Sequence, residues 1–367
     1  MKFLLKTGNW RLNMERINLM IKKTIIIFWA IILLVGCSDK AAQELYEIAQ
    51  LEERQHNNAN AIRLYLEVSD KYADSEYARK ALARLAVLNK KPSNNKGEKA
   101  MTTANQTDYS QYDRPEILQF IFHPRPEASS STLKPGVTEF MIPVDPDVSV
   151  GARFYPTKPA QPIILFFHGN GEIVADYEDL APFYTKGGIN FWPVDFRGYG
   201  RSTGEPSVTA MMHDCHKVLA YVEKWLRENG YTGPLIVMGR SLGSASALEL
   251  AAHYEEKIDG LIIESGFAYA LPLLRLLGID TDAYGLTEEQ GFRNLDKIRN
   301  FKKPTLVIHA EYDHIIPFDD GQALSDASPA AYNKLLKIPK ADHNNLFSFG
   351  MQVYLEAVKY LADAAGQ

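Results

Sequence analysis

The sequence predicts an α/β fold, a mostly parallel sheet with helices on both faces, preceded by a small all-helical segment. From residue 138 onward, short apolar runs alternate with longer stretches of helical period. Continuous apolar runs are typical of strands buried on both faces, as in a parallel sheet. Residues 41–88, in contrast, contain no Pro or Gly and are rich in Ala, Leu, Glu, Lys and Arg, which favours helices.

The predicted elements follow in chain order, with two edge strands first and strand–helix units after them. Each strand is a short run of apolar and β-branched residues, and each helix repeats apolar residues every three or four positions. The predicted strands are 138–142, 151–155, 163–167, 190–194, 235–238, 260–263, 305–308 and 335–338. The predicted helices lie near 176–184 and at 208–229, 244–253, 320–327 and 345–364, and residues 267–301 form a lid.

Residues 235–243, Leu-Ile-Val-Met-Gly-Arg-Ser-Leu-Gly, are the most informative stretch. A buried strand, a G-x-S-x-G turn and a helix follow one another, which is the context of a nucleophile elbow. Ser241 is therefore the predicted nucleophile, exposed at the carboxyl end of a strand. Small residues are needed two positions to either side of it, and Gly239 and Gly243 supply them.

A serine hydroxyl needs an imidazole to take its proton and a carboxylate to orient that imidazole. Asp313 lies in the loop after the strand 305–308, and His343 follows the strand 335–338 and opens the last helix. The order Ser, acid, His and the placement after strand ends both fit. Glu311 is an alternative acid, but its loop position is less suitable than that of Asp313.

The strand 163–167 runs into His168-Gly169-Asn170-Gly171, a predicted anion site. Backbone N–H groups of Asn170 and of Leu242 are expected to hold the oxyanion, although Gly169 or Gly171 can serve instead of Asn170. His168 and Gly169 are expected to support the loop.

These motifs, with the stretch at 195–202 (Asp-Phe-Arg-Gly-Tyr-Gly-Arg-Ser) and Glu-Ser-Gly-Phe at 264–267, resemble the α/β-hydrolase superfamily from about residue 114 to the end. The most similar branch holds the serine-aminopeptidase-like and depalmitoylating hydrolases. The resemblance implies cleavage of an ester, thioester or amide through an acyl-serine intermediate, without a cofactor or a metal. Asp342 stands where many relatives have Gly.

The apolar residues 271–277 of the lid favour an apolar acyl group, so that a carboxylesterase or thioesterase is the leading prediction. A serine aminopeptidase is the alternative within this class, weakly supported by the acidic residues of the lid. A non-catalytic binding lipoprotein that uses its helical segment is the alternative from another class, although an intact triad and anion loop argue against it.

The N-terminus is predicted to be a signal peptide over residues 1–36, with translation starting at Met20 as an alternative. An apolar stretch at 25–35 follows two lysines and precedes Gly36-Cys37, which resembles a bacterial lipoprotein signal. Cys37 is then the lipidated first residue, and Ser38 favours the outer membrane, facing the periplasm.

Residues 37–89 are predicted to be the lipidated terminus followed by helices at 41–55, 58–72 and 75–89 that resemble tetratricopeptide repeats. With only about one and a half repeats, residues 41–89 are either a spacer or a platform for a protein partner. Residues 90–113 are predicted to be a flexible linker and residues 114–367 the hydrolase domain.

The chain has 40 basic and 45 acidic residues, a net charge of −5. Residues 1–36 carry six basic and one acidic residue, so the remainder has 34 basic and 44 acidic residues and a net charge of −10. An acidic chain without a basic stripe argues against nucleic-acid binding. The histidines show no recurring metal-ligand spacing.

Overall fold

The computed structural model describes residues 40–43, 45–50, 53, 58–73, 75–88, 108–128 and 133–366. The predicted signal peptide, Cys37 and most of the predicted linker lie outside these residues. The chain divides into two compact units, residues 1–103 and 104–367. In the described parts of the chain, no helix is both long enough and apolar enough to cross a bilayer.

The first unit is helical where it is described. Residues 40–43 and 45–50 are helical, and they are followed by α1 (Asn58–Lys71) and α2 (Glu76–Leu88). Ser75 caps α2 because its hydroxyl oxygen accepts the N–H of Ala78 at 3.0 Å. The helices pack through a small core of their own, consisting of Tyr46, Ala49, Ala61, Leu64, Tyr65, Val68, Ala81 and Leu85.

The second unit is an eight-stranded sheet with the order β1-β2-β4-β3-β5-β6-β7-β8. β1 and β2 are antiparallel to their neighbours, and all the pairs from β4 to β8 are parallel. The strands are β1 (Thr138–Asp145), β2 (Val148–Phe154), β3 (Ile163–Phe167), β4 (Asn190–Val194), β5 (Leu235–Arg240), β6 (Gly260–Glu264), β7 (Thr305–Ala310) and β8 (Asn333–Ile338).

Helices surround this sheet and connect its strands. They are α3 (Pro115–Ile121), α4 (Ala181–Lys186), α5 (Val208–Glu228), α6 (Gly243–His253), α7 (Ala270–Leu276), α8 (Asn294–Ile298), α9 (Phe318–Ala327) and α10 (Leu346–Ala365), with a 3₁₀ turn at Val174–Glu178. The alternation of strand and helix gives the predicted fold class, an α/β-hydrolase fold.

Both faces of the sheet are buried, as the apolar strands predict. In β3, Ile163, Leu165 and Phe167 belong to one apolar cluster, and Ile164 and Phe166 belong to another. Because successive strand residues point to opposite faces, these two clusters lie on opposite sides of the sheet. Buried residues of α5 and α6 belong to the first cluster, and those of α4 and α10 belong to the second.

Several boundaries differ from the sequence-based expectation, most by one to three residues, and two of these differences bear on the site and on the core. Strand β5 continues through Gly239 to Arg240, because it still pairs with β6 there and the bend occurs at Ser241. Residues 108–113, expected in the linker, pack with the second unit: Tyr109 and Tyr112 are buried in its core, and the Tyr112 hydroxyl donates to the backbone oxygen of Thr287 at 3.0 Å.

Candidate active site

Ser241 lies at a sharp bend between β5 and α6. Its φ is 50°, in the left-handed region that a residue with a Cβ rarely occupies. Its N–H donates to the backbone oxygen of Glu264 at 2.8 Å, which holds the bend against β6. A Cβ at Gly239 would collide with the backbone of Gly243, and one at Gly243 would collide with the carbonyl of Phe167. The bend therefore requires glycine at both positions.

His343 connects Ser241 to Asp313. Its Nε2 lies 3.0 Å from Ser241 Oγ, and its Nδ1 lies 2.7 Å from Asp313 Oδ2. An ionised carboxylate only accepts hydrogen bonds, so Nδ1 carries the proton and Nε2 accepts from the serine hydroxyl. All three side chains are buried. This is the arrangement that lets an imidazole take the proton of an attacking serine.

The Asp313 carboxylate is fixed by its own loop. Its Oδ1 accepts the N–H groups of Ile315 and Ile316 at 3.0 and 2.8 Å. Burial raises the pKa of Asp313, but the hydrogen bonds from His343 and from these N–H groups outweigh burial and hold the pKa below its usual range. The carboxylate is therefore ionised and remains an acceptor.

Glu311, the alternative acid, faces elsewhere. Its carboxylate accepts the N–H of Lys340 at 2.9 Å. His309, before the acid loop, is fully buried, and its Nε2 lies 2.8 Å from the backbone oxygen of Ile316. Burial lowers the pKa of His309, so the ring is neutral and supports the loop that carries Asp313.

The anion loop follows β3 and faces Ser241. Asn170 and Leu242 line the same cleft as Ser241. Among the hydrogen bonds of the described residues, none uses the N–H of Asn170 or of Leu242. The two predicted oxyanion donors thus both lie beside Ser241, and no described residue accepts a hydrogen bond from them.

One of the two alternative donors of this loop is occupied. The N–H of Gly169 donates to the Glu172 carboxylate at 2.8 Å. The geometry therefore favours Asn170 over Gly169, and Gly171 stays an alternative donor.

The sequence did not predict what holds Asn170. The Tyr199 hydroxyl donates to Asn170 Oδ1 at 2.7 Å, and the same oxygen accepts the N–H of His123 at 2.9 Å. Tyr199 belongs to the stretch at 195–202, which the sequence analysis used only as one of the motifs of the superfamily resemblance. His168, the expected support, is fully buried, with its Nε2 3.3 Å from Asp195 Oδ1.

A cleft with apolar walls opens at Ser241. It encloses about 530 Å³ of empty space that is continuous with solvent. Besides Asn170, Ser241 and Leu242, its walls are formed by Ile121, Phe267, Ala270, Leu273, Leu274, Leu277, Phe292, Ile315 and Ile316. Most of these residues come from α7 and the predicted lid, so this segment covers one side of the nucleophile.

Two half-buried carboxylates hold the start of the lid. Asp320 accepts the N–H groups of Ala268 and Tyr269 at 2.7 and 3.2 Å, and Glu288 accepts those of the next two residues. Burial raises the pKa of Asp320 to about 6 and also raises the pKa of Glu288. The lid is therefore tied to α9 by a carboxyl group that titrates near neutral pH.

A second feature that the sequence did not predict lies on the histidine side of Ser241. Arg240, the residue before Ser241, contacts the carboxylates of Glu172 and Glu264 at 3.3 and 3.2 Å. We call these three residues the Arg240 cluster. Its charged groups contrast with the apolar walls of the cleft.

One group of described residues brings metal-ligating atoms together: those of His216, Glu249 and His253 lie within 4.8 Å of one another. Glu249 already pairs with Lys297 at 2.6 Å, and His253 Nδ1 lies 2.8 Å from the backbone oxygen of Glu249. That contact requires a proton on Nδ1, which leaves no lone pair there for a metal. Burial would raise the pKa of Glu249, but His216 and Lys297 lower it to about 2. The group fits an ion-paired cluster better than a metal centre.

Comparison with known proteins gives relatives with this fold. The model of the family described as serine aminopeptidase, S33, matches residues 158–276, which include the anion loop and Ser241 but end before Asp313 and His343. The chain is 30% identical over 193 residues to protein bem46 of Schizosaccharomyces pombe, covering 51% of this chain and 62% of the yeast protein.

Two further similarities extend over more of the chain. It is 29% identical over 237 residues to the human alpha/beta hydrolase domain-containing protein 17B, covering 63% of this chain and 76% of that protein. The esterase Pf2001 of Pyrococcus furiosus has the same fold, with a TM-score of 0.53 and 17% identity over 66% of this chain and 97% of that one. The family match and the human relative are similarities to hydrolases, and Pf2001 shows that the fold is shared.

Proposed function

We propose that this protein is a serine hydrolase that cleaves carboxylic esters or thioesters with an apolar acyl group and is anchored to a membrane by lipid on Cys37. The proposal depends on the contacts of His343 with Ser241 and with Asp313. Two distances, 3.0 Å from Ser241 Oγ to His343 Nε2 and 2.7 Å from His343 Nδ1 to Asp313 Oδ2, give the geometry that nucleophilic catalysis needs.

In the proposed reaction, Ser241 Oγ attacks the carbonyl carbon while His343 Nε2 takes the hydroxyl proton. The carbonyl oxygen becomes negative and receives the N–H groups of Asn170 and Leu242. The C–O or C–S bond to the leaving group then breaks, and His343 returns the proton to that group. Water repeats the sequence on the acyl-serine, releases the acid and restores Ser241.

The walls of the cleft support an apolar acyl group. Aliphatic and aromatic side chains dominate its lining, and burial of each methylene of an acyl chain contributes about 0.8 kcal/mol. A medium or long chain therefore gains more from this cleft than an acetyl group does.

A serine aminopeptidase is the second candidate, because the matching family carries that description. Such an enzyme must bind the positive α-amino group of its substrate, which calls for a carboxylate in the pocket. The residues that line the described cleft include no Asp or Glu. The chemistry of the cleft thus favours the ester or thioester.

A fluorophosphonate probe tests the nucleophile. Purified protein is expected to be labelled, and Ser241→Ala is expected to remain unlabelled. An unlabelled wild-type protein, or equal labelling of the two, would favour the non-catalytic lipoprotein instead.

Acyl specificity is tested with p-nitrophenyl esters of increasing chain length beside an aminoacyl-anilide. We expect kcat/KM to rise from acetate to longer chains and to exceed that for the anilide. Faster cleavage of the anilide would favour the aminopeptidase.

The membrane anchor and the helical residues 41–89 complete the proposal. We infer lipidation of Cys37 at the outer membrane and, for the helices, either a spacer or a partner-binding role. Incorporation of tritiated palmitate is expected in the wild type and not in Cys37→Ser. Equal incorporation in both would contradict the anchor.

A further inference from the structure

Arg240 stands between Gly239 and the nucleophile, at the end of β5. Only 12% of its side chain is exposed. Its three guanidinium nitrogens reach three separate segments: Nε lies 3.2 Å from Glu264 Oε1, Nη1 lies 3.3 Å from Glu172 Oε1, and Nη2 donates to the backbone oxygen of His343 at 2.9 Å. One side chain thus connects the end of β6, the anion loop and the histidine loop.

The two carboxylates of the Arg240 cluster are themselves fixed. Glu172 accepts the Gly169 N–H at 2.8 Å and the Tyr177 hydroxyl at 2.6 Å, and Glu264 accepts the Tyr354 hydroxyl at 2.5 Å. Because both acceptors are held by other groups, the guanidinium has a single position in which all its contacts are made. Arg240 is therefore a rigid support.

The charges of the cluster keep Arg240 ionised. Burial would lower the pKa of Arg240, but the carboxylates of Glu172 and Glu264 outweigh burial and hold the pKa above its ordinary value. A charged donor makes a stronger hydrogen bond to a carbonyl than a neutral one does. The contact with His343 is of this stronger kind.

Two contacts hold His343: Asp313 binds its imidazole, and Arg240 binds its main-chain oxygen. The histidine lies in an irregular loop between β8 and α10, where no strand or helix fixes its backbone. The main-chain contact comes from the residue next to Ser241, so nucleophile and base share one support. A shift of this loop would change the distance from His343 Nε2 to Ser241 Oγ directly.

We propose that Arg240 is a positioning residue that holds the backbone of His343 in register with Ser241, so that proton transfer occurs at the observed distance. This inference rests on the proposed serine hydrolase function. A lysine has one compact ammonium group and cannot reach all three segments as the planar guanidinium does. The charge can therefore be kept while the contact with His343 is lost.

The test compares Arg240→Lys with Arg197→Lys in the full chain. Arg197 is a matched control: 13% of its side chain is exposed, and it also pairs with two carboxylates, those of Asp145 and Asp214. For Arg240→Lys, we expect kcat per folded molecule on a p-nitrophenyl ester to fall about 10- to 100-fold, since small misplacements of catalytic groups cost rates of this order. We expect its KM to change less than about twofold, and Arg197→Lys to keep its kcat within about twofold.

The outcomes separate the inference from the function on which it rests. A wild-type protein that neither labels with fluorophosphonate nor cleaves the ester overturns both. If the wild type is active and the two lysine variants lose kcat to the same extent, the positioning role alone is overturned. In that case Arg240 affects only folding, as any structural arginine would. Circular dichroism and the melting temperature give the folded fraction of each variant.

A milder substitution keeps the inference testable if Arg240→Lys does not fold. Tyr354→Phe removes the hydroxyl that holds Glu264, and Tyr360→Phe, on the same helix and largely exposed, is its control. We expect kcat of Tyr354→Phe to fall about two- to fivefold below that of Tyr360→Phe, a small displacement effect. Equal kcat in the two variants would overturn the positioning role.

Discussion

The two sides of Ser241 differ in chemistry, because one is apolar and the other is charged. On the lid side, apolar residues such as Leu273, Leu274 and Phe292 form the wall of an open cleft. On the histidine side, Glu264 is buried, Arg240 and Glu172 are partly buried, and each of their contacts has a defined direction.

This difference in chemistry suits one side to binding a substrate and the other to positioning the reacting groups. Dispersion and the hydrophobic effect are non-directional, so an apolar wall accepts acyl chains of several shapes. Ion pairs and hydrogen bonds depend on distance and angle, so a charged wall fixes one geometry of the reacting groups. We therefore expect substitutions on the histidine side to change kcat and substitutions on the lid side to change substrate preference.

The largest effect is expected at Ser241, which lies between the two sides. Ser241→Ala removes the attacking oxygen, and kcat should fall on the order of 10⁴-fold or more. The measurement is ester hydrolysis at saturating substrate. Ser246→Ala, in the buried part of α6, is the control and should retain activity. More than a few per cent of wild-type activity in Ser241→Ala would contradict its role.

On the histidine side, Asp313→Asn should lower kcat about 10⁴-fold, because an amide no longer selects the required tautomer of His343. KM should change little. Glu311→Gln is the control, since that carboxylate accepts the N–H of Lys340 and makes no contact with His343 among the hydrogen bonds of the described residues. A larger loss of kcat in Glu311→Gln than in Asp313→Asn would assign the acid to Glu311.

Asp320, which holds the start of the lid, lies outside both the cleft lining and the Arg240 cluster and tests a third region. The pKa of Asp320 rises from 3.8 to about 6, so its contribution to stability is present below pH 4 and is lost as the pH rises through about 6. Asp320→Asn should increase the free energy of unfolding by about 2 to 3 kcal/mol at pH 8 and by little at pH 4. Urea unfolding at both pH values measures this.

The exposed Asp326 of the same helix supplies the control for that experiment. Asp326→Asn should change the free energy of unfolding equally at pH 4 and pH 8. A pH-independent effect of Asp320→Asn would show that its carboxyl group does not limit stability near neutral pH.

The smallest effect is expected in the acyl cleft. Leu273→Trp fills part of the space beside Ser241 and should lower kcat/KM for long-chain esters about tenfold, while that for acetate stays within about twofold. Leu276→Trp is the control, because Leu276 is 60% exposed and is absent from the cleft lining. Equal losses for short and long chains would contradict an acyl-binding role.

Much of the sheet could be predicted because a buried parallel strand leaves a local signature. The run 163–167 is continuous in apolar residues, the run 190–194 is apolar after Asn190, and the structure has strands with the same bounds. The residues that meet at Ser241 were identifiable for a related reason: each follows a strand whose carboxyl end lies at the same edge of the sheet.

Other features depend on pairings between distant residues, which no local pattern reports. Arg240 occupies a position that the G-x-S-x-G pattern leaves unspecified, and its partners Glu172 and Glu264 lie after β3 and at the end of β6. The N–H of Asn170 was predicted, but its support by Tyr199 and His123 was not. The aromatic residues at 109 and 112 were isolated in a polar stretch, so their burial left no periodic signal.

The absent Cβ of Gly243 has a consequence for how substrate arrives. The backbone of the elbow lies directly on the carbonyl groups of Phe167 and His168, with no room for a methyl group between them. Two segments in such close contact cannot separate without breaking the end of β3. Under the proposed function, the room for an acyl chain is therefore set by the covering residues after β6, and a crosslink that holds them across the cleft should slow turnover even with every reacting group intact.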